Sequence, residues 1–361
     1  MKFIDLQEQY RRIQPAVEER MENVFEHGQY IMGKEVAECE QRLADYVGSP
    51  ECITVSSGTE ALRLAMMALN IGPGDEVITS SFSFFATAEM VIHVGATPVY
   101  VDIDPKTYNL DPSLIEAAIT PKTKAIMTVD LYGQCADYEA ISAIAQKHGL
   151  FIIEDAAQSF GAKQGKQSAC SFGDISCTSF FPAKPLGCYG DGGACFTADP
   201  GLAARMRELA NHGQVARYEH ASIGINARFD TLQAAILLAK LDIFDDEVAS
   251  RQRVAKWYGE ALNADAPYVA LGNTSIWAQY TIAHPNREAF REYMSSHNIP
   301  TAVHYPRAFT QIGVLKPYFT AEQQACPVAE RLAEQVVSLP FHPYMTKEQV
   351  DEVADKVNSF E

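Results

Sequence analysis

Between residues 52 and 155 the chain alternates short apolar runs with longer amphipathic stretches, and no other feature restricts its fold as much. The runs at 52–55, 77–78, 99–102, 125–129 and 151–155 are rich in Val and Ile and read as strands. The stretches from 58 to about 69, then 84–94, 112–119 and 138–148, read as helices. Strands alternating with helices argue for an α/β fold with a mainly parallel sheet covered on both faces. Two amphipathic helices, 11–27 and 34–47, precede it, and strands at 175–180 and 194–197 follow, flanking a loop. From residue 200 helices dominate, over 201–212 and 231–263. A smaller α+β module closes the chain, with strands expected at 278–282 and 302–304 and helices at 287–297, 328–337 and 347–358. The expected boundary lies near residue 245, giving domains over 1–245 and 246–361.

Charge and cysteine content narrow the function. The formal net charge of −17 disfavours nucleic acid and anionic membranes as partners, so a phosphate or carboxylate ligand must meet local donors. None of the eight cysteines forms a Cys-x-x-Cys pair, and they read as reduced thiols of a cytoplasmic protein. The most apolar long stretch, 84–101, is broken by Glu89, His93, Gly95 and Pro98 and does not read as a membrane span.

The loop between the last two strands carries the chemistry. Lys184 stands between Pro182 and Pro185 in a segment nearly free of charge, followed by Gly187, Gly190, Gly192 and Gly193. Proline restricts its own φ and that of the residue before it, so Lys184 is expected on a stiff, non-helical turn. A lysine in apolar surroundings deprotonates more easily and attacks aldehydes, whereas the plain alternative is a surface lysine in a Gly-rich loop. Two further groups lie at strand ends, where open parallel sheets bind ligands. Ser57-Gly58-Thr59 opens a helix and reads either as a phosphate site or as a capping turn. Asp155 ends an apolar strand and reads either as the partner of a cation or as a structural cap. Lysine, carboxylate and phosphate cradle together match pyridoxal phosphate chemistry.

Six stretches then carry a resemblance: Gly28-Gln29-Tyr30-Ile31-Met32-Gly33, Ser57-Gly58-Thr59-Glu60-Ala61-Leu62, Glu154-Asp155-Ala156-Ala157-Gln158-Ser159, residues 179–193, Asn226-Ala227-Arg228-Phe229-Asp230 and His304-Tyr305-Pro306. In this order they resemble the DegT/DnrJ/StrS-type nucleotide-sugar aminotransferases, within the fold-type I, aspartate-aminotransferase-like enzymes. The resemblance implies that Lys184 bonds the cofactor aldehyde, that Asp155 pairs with the ring nitrogen and that Gln158 meets the ring hydroxyl. It implies Gly58, Thr59 and Ser179 around the phosphate and Phe84 on the ring face, with core packing as the other reading of Phe84. It also implies a homodimer in which Asn226 reaches the neighbouring subunit's cofactor. The motifs are most similar to enzymes aminating UDP-2-acetamido-2-deoxy-3-oxo-glucuronate for surface polysaccharide, with L-glutamate as donor. For such a substrate Arg228 is the first choice to meet the sugar carboxylate, an ion pair with Asp230 being the alternative. His304, Tyr305, Gln29 and Tyr30 are expected around the sugar nucleotide. Other ketosugar nucleotides, and a non-catalytic binder of pyridoxal phosphate or nucleotide, are the competing readings. Ala183 departs from the serine of close relatives.

Overall fold

The computed structural model describes residues 1–263, 266–320 and 323–360. Seven strands form the central sheet: β1 (Glu51–Val55), β2 (Glu76–Ser80), β3 (Thr97–Val101), β4 (Thr123–Val129), β5 (Phe151–Asp155), β6 (Ile175–Ser179) and β7 (Gly193–Thr197). Their order is β1-β7-β6-β5-β4-β2-β3. All neighbours from β6 to β3 pair in parallel, and β7 runs antiparallel to both β6 and β1. β1 therefore points the same way as β6, and the carboxyl ends of β1, β2, β5 and β6 share one edge.

Apolar side chains cover both faces, as a parallel sheet requires. On one face α3 (Gly58–Ala68), α4 (Ala86–His93) and α6 (Pro200–Ala210) bury Leu62, Val91 and Met206 against Val77, Met127 and Ile153. On the other, α2 (Lys34–Val47) and α7 (Thr231–Leu241) meet Phe180 and Phe196, while α5 (Tyr138–His148) lays Ile141 on Ile126 and Ile152. α1 (Leu6–His27) packs Ile13 and Val17 on Ile236 of α7. The C-terminal part has its own core, in which α8 (Phe244–Ala261), α9 (Arg287–Ser296) and α11 (Lys347–Ser359) bury Tyr258, Phe290 and Val353 with Tyr280 and Val337.

Three sequence expectations need correction. The segment expected as a helix at 112–119 is two 3₁₀ turns, Pro112–Leu114 and Glu116–Ala118. Asp111 and Pro112 start a helix well, but Ile119 is already extended, and Pro121 disfavours helical backbone at Thr120. The expected strand 302–304 is a single bridge between Ala302 and Ser338. The strand partner in the small sheet is instead β9 (Val336–Leu339), antiparallel to β8 (Tyr280–Ala283). Residues 336–337 read in the sequence as the end of a helix, yet α10 (Pro327–Gln335) stops before them. The four residues of β9 are all buried, and pairing with β8 overrides the helical continuation that local sequence favours.

Candidate active site

One cavity of about 410 Å³ opens at the shared strand edge. Gly58, Thr59, Phe84, Asp155, Gln158, Ser179, Lys184, His304 and Tyr305 all line it. Residues 58 to 305 are thus brought together by topology rather than by proximity in the chain.

One end of the cavity is built where β1 turns into α3. Ser57 is the N-cap, its hydroxyl accepting from the Glu60 amide at 3.1 Å. Gly58 and Thr59 are the first two helical residues, whose amides have no acceptor within a helix. The turn is therefore a cap and an anion-binding end at once. Only glycine fits at 58, since a Cβ there would stand 2.6 Å from Ser179 Cβ.

The lysine loop is closed by its own backbone. Phe180 N donates to Gly192 O at 2.7 Å, Cys188 N to Phe180 O at 2.7 Å and Lys184 N to Phe181 O at 2.9 Å. At Gly187 a Cβ would lie 2.6 Å from Phe181 O, so a larger residue would force the loop open. Lys240 of α7 ties the loop down from behind. It is 1 % exposed, donates to Gly187 O and stands 4.3 Å from the centroid of the Tyr189 ring. Burial pushes the amine of Lys184 down to about 8, against the opposing pull of Asp155. About a tenth of the amine is then neutral at pH 7.

Asp155 is 5 % exposed. Its Oδ2 accepts from Thr87 Oγ1 at 3.0 Å and its Oδ1 from Ala157 N at 3.2 Å. Burial raises its pKa, while the Ala157 amide, the Thr87 hydroxyl and the charge of Lys184 act the other way. Gln158 is held in one orientation, its Oε1 accepting from Tyr132 N at 2.9 Å and its Nε2 donating to Tyr305 Oη at 3.2 Å. His304 Nδ1 meets Ser338 Oγ at 2.9 Å. Burial and the charge of Lys184 hold its ring near a pKa of about 4, so it is neutral at neutral pH. Phe84 is 55 % exposed beside the cavity, its ring 6.1 Å from that of Tyr305, and the core-packing reading does not hold.

Four expected residues lie outside this cavity. Asn226 bridges Asn211, and Gln29 and Tyr30 are exposed. Arg228 lines an adjoining cleft that shares Ser57 and Asp191 with the main cavity. Its Nη1 donates to Asn211 Oδ1 at 3.2 Å and its Nε is buried without a partner. Among the described residues no carboxylate pairs with it, so the ion pair with Asp230 is not formed. Sequence reasoning missed Thr87, Ser83 and Gln279 in the site, the apolar wall of Phe3 and Ile4, and the loop tether Lys240. A cluster of hydroxyl residues from Thr79 to Thr87 is the one signal that points to the first two.

The donors fit pyridoxal phosphate: an amine with a lowered pKa for the aldehyde, helix amides beside Ser179 for the phosphate, and a buried carboxylate held by neutral donors. Those donors favour its charged form, which a cation within the cavity would meet. Among the described residues, no helix is long and apolar enough to cross a membrane. All eight cysteines are buried and unbridged.

Comparison with known proteins gives a consistent result. The profile of the DegT/DnrJ/EryC1/StrS aminotransferase family matches residues 11–358. The UDP-2-acetamido-2-deoxy-3-oxo-D-glucuronate aminotransferase of Pseudomonas aeruginosa is 53% identical over 348 residues, covering 96% of both chains. The crystal structure of a DegT DnrJ EryC1 StrS aminotransferase from Brucella abortus superposes with a TM-score of 0.95 at 43% identity, covering 99% of this chain and 98% of that one. NtdA of Bacillus subtilis, solved with bound cofactor PMP, gives a TM-score of 0.89 at 29% identity, over 98% of this chain and 82% of its own.

Proposed function

The chain belongs to the DegT/DnrJ/EryC1/StrS aminotransferase family, and from that premise we propose that it aminates C3 of UDP-2-acetamido-2-deoxy-3-oxo-D-glucuronate, with L-glutamate as donor. Likeness over 96% of both chains to an enzyme of that name is the observation that carries the substrate. The setting is then surface-polysaccharide (O-antigen) biosynthesis in the cytoplasm. The cofactor, pyridoxal 5′-phosphate cycling through its amine form, supplies an electron sink for breaking an amino acid's Cα–H bond.

The chain's own residues do the rest. Lys184 Nζ, with its pKa lowered to about 8, takes and returns the migrating proton. Asp155 would pair with the ring nitrogen and hold a proton there. Gly58, Thr59 and Ser179 would hold the phosphate, Phe84 would lie against the ring face, and Gln158 would meet the ring hydroxyl. His304 and Tyr305 approach from the C-terminal domain, which we assign to 246–361, with the cofactor domain over 1–245.

Asn226, Arg228, Gln29 and Tyr30 fall outside the cavity of their own chain, which supports a homodimer whose partner subunit completes each site. Mixing Lys184→Ala chains with Asn226→Ala chains, each inactive alone, is expected to restore activity toward about a quarter of wild type. Half of the mixed dimers are hybrids, and each hybrid has one intact site. Restoration absent under verified subunit exchange would remove Asn226 from a shared site.

A net charge of −17 makes a cation for the sugar carboxylate a specific requirement, and Arg228, with a buried unpartnered Nε, is the residue we assign. Arg228→Lys is expected to cut kcat/KM for the uronate by about 10- to 100-fold, since lysine lacks the planar fork. The matching 6-hydroxymethyl ketosugar should lose little. Equal losses on both sugars would make Arg228 structural. Offering 3- and 4-keto UDP- and dTDP-sugars with glutamate, and weighing the products, tests the substrate itself. A preference for a neutral sugar would replace the uronate. Failure of glutamate to bleach the bound cofactor's colour would favour another donor or the non-catalytic binder.

A further inference from the structure

We propose that Ser83 and Thr87 form a directed hydroxyl relay that holds Asp155 as a carboxylate aimed into the cavity, which makes Thr87 a positioning residue for amino transfer. The proposal rests on the cofactor reading above.

Thr87 is fully buried in the first turn of α4, and its Oγ1 lies 3.0 Å from Asp155 Oδ2. Ser83 Oγ lies 2.9 Å from Thr87 Oγ1. Ionised aspartate only accepts hydrogen bonds, and a hydroxyl has a single proton to give. The Thr87 proton must therefore point at Asp155. Thr87 then receives from Ser83, so the Ser83 proton must point at Thr87. Both hydroxyl dipoles are aligned with their positive ends toward the carboxylate, an arrangement in which each bond strengthens the next. The second oxygen of Asp155 takes the Ala157 amide at 3.2 Å. Two neutral donors thus stabilise a charge that burial opposes, with Lys184 as the facing cation.

The consequence concerns where one proton resides. A carboxylate facing a ring nitrogen competes with it for that proton. Each donor on the carboxylate lowers its basicity and leaves the proton on the ring. A merely structural threonine, pinning the start of α4 through its amide bond to Phe84 O, would have no such effect.

The test uses holoenzyme reconstituted with pyridoxal phosphate labelled with ¹⁵N in the ring, read by the nitrogen chemical shift. Wild type is expected at the protonated position. Thr87→Val keeps the shape and removes the donor. It should move the proton's partition toward Asp155 by about ten- to a hundredfold, the range of one hydrogen bond to a charged group. Thr87→Ser should restore the wild-type shift. Ser83→Ala, which leaves the Thr87 bond in place, should move it in the same direction by less, and this variant serves if Thr87→Val does not fold. An unchanged shift in Thr87→Val, or in Ser83→Ala where that variant stands in, would overturn the relay. Equal disturbance in Thr87→Ser and Thr87→Val would also overturn it, because packing and not the hydroxyl would then be responsible. Wild-type protein that takes up no cofactor would overturn the cofactor reading, and the relay with it.

Discussion

Lys184→Ala protein is expected to fold normally and to lose more than about 10³-fold in kcat, because a positioned general base alone contributes that much. The fold should survive because the loop is held by bonds that do not use the side chain. The Lys184 amide still donates to Phe181 O, Cys188 N to Phe180 O and Lys240 Nζ to Gly187 O. Borohydride reduction of the wild-type holoenzyme, followed by peptide mapping, should find the cofactor on Lys184. The informative competitor is Lys240, whose amine burial also brings down to about 8. Amine acidity therefore does not separate the two lysines. Geometry does, since Lys184 lines the cavity while Lys240 points away from it into the Gly187 carbonyl and the Tyr189 ring. An adduct on Lys240 would overturn the assignment of the central residue.

Asp155→Asn is expected to retain cofactor and to lose on the order of 10²- to 10³-fold in kcat, comparable to the removal of one preorganised charge-stabilising group elsewhere. An amide oxygen can still accept from Ala157 N, and the Thr87 hydroxyl can rotate to accept from the amide nitrogen, so the local structure should persist. What disappears is the negative charge that, in the proposed role, would hold a proton on the ring nitrogen. Cofactor affinity by equilibrium dialysis and single-turnover rates with glutamate would separate binding from chemistry. A turnover number near that of wild type would remove Asp155 from the mechanism.

Both residues are legible in the amino-acid sequence, for a local reason. A lysine between two prolines followed by glycines, and an aspartate closing an apolar strand, are signals written within a few residues of the group concerned. Helix α5 and strand β5 lie where periodicity places them, because their apolar faces repeat at spacings that no neighbour contradicts. Local signals mislead where a distant partner decides. Val336 and Val337 continue a helical pattern, yet pairing with Tyr280–Ala283 turns them into a strand. Neither segment carries a mark of the other.

Neighbouring residues suffice to specify the alternation that imposes a mainly parallel sheet, the stiff loop of Lys184 and the helix-opening turn at Gly58, since each depends on local backbone geometry. The tertiary structure decided which side chains serve these groups. Thr87 reaches Asp155 across 68 positions, Gln158 reaches Tyr305 across 147, and Lys240 reaches Gly187 across 53. It also left Arg228 in a neighbouring cleft, unpaired with the Asp230 that stands two residues away in sequence. A hydrogen bond requires heavy atoms about 3 Å apart, a distance set by crossover connections and strand order and written in no single stretch of chain.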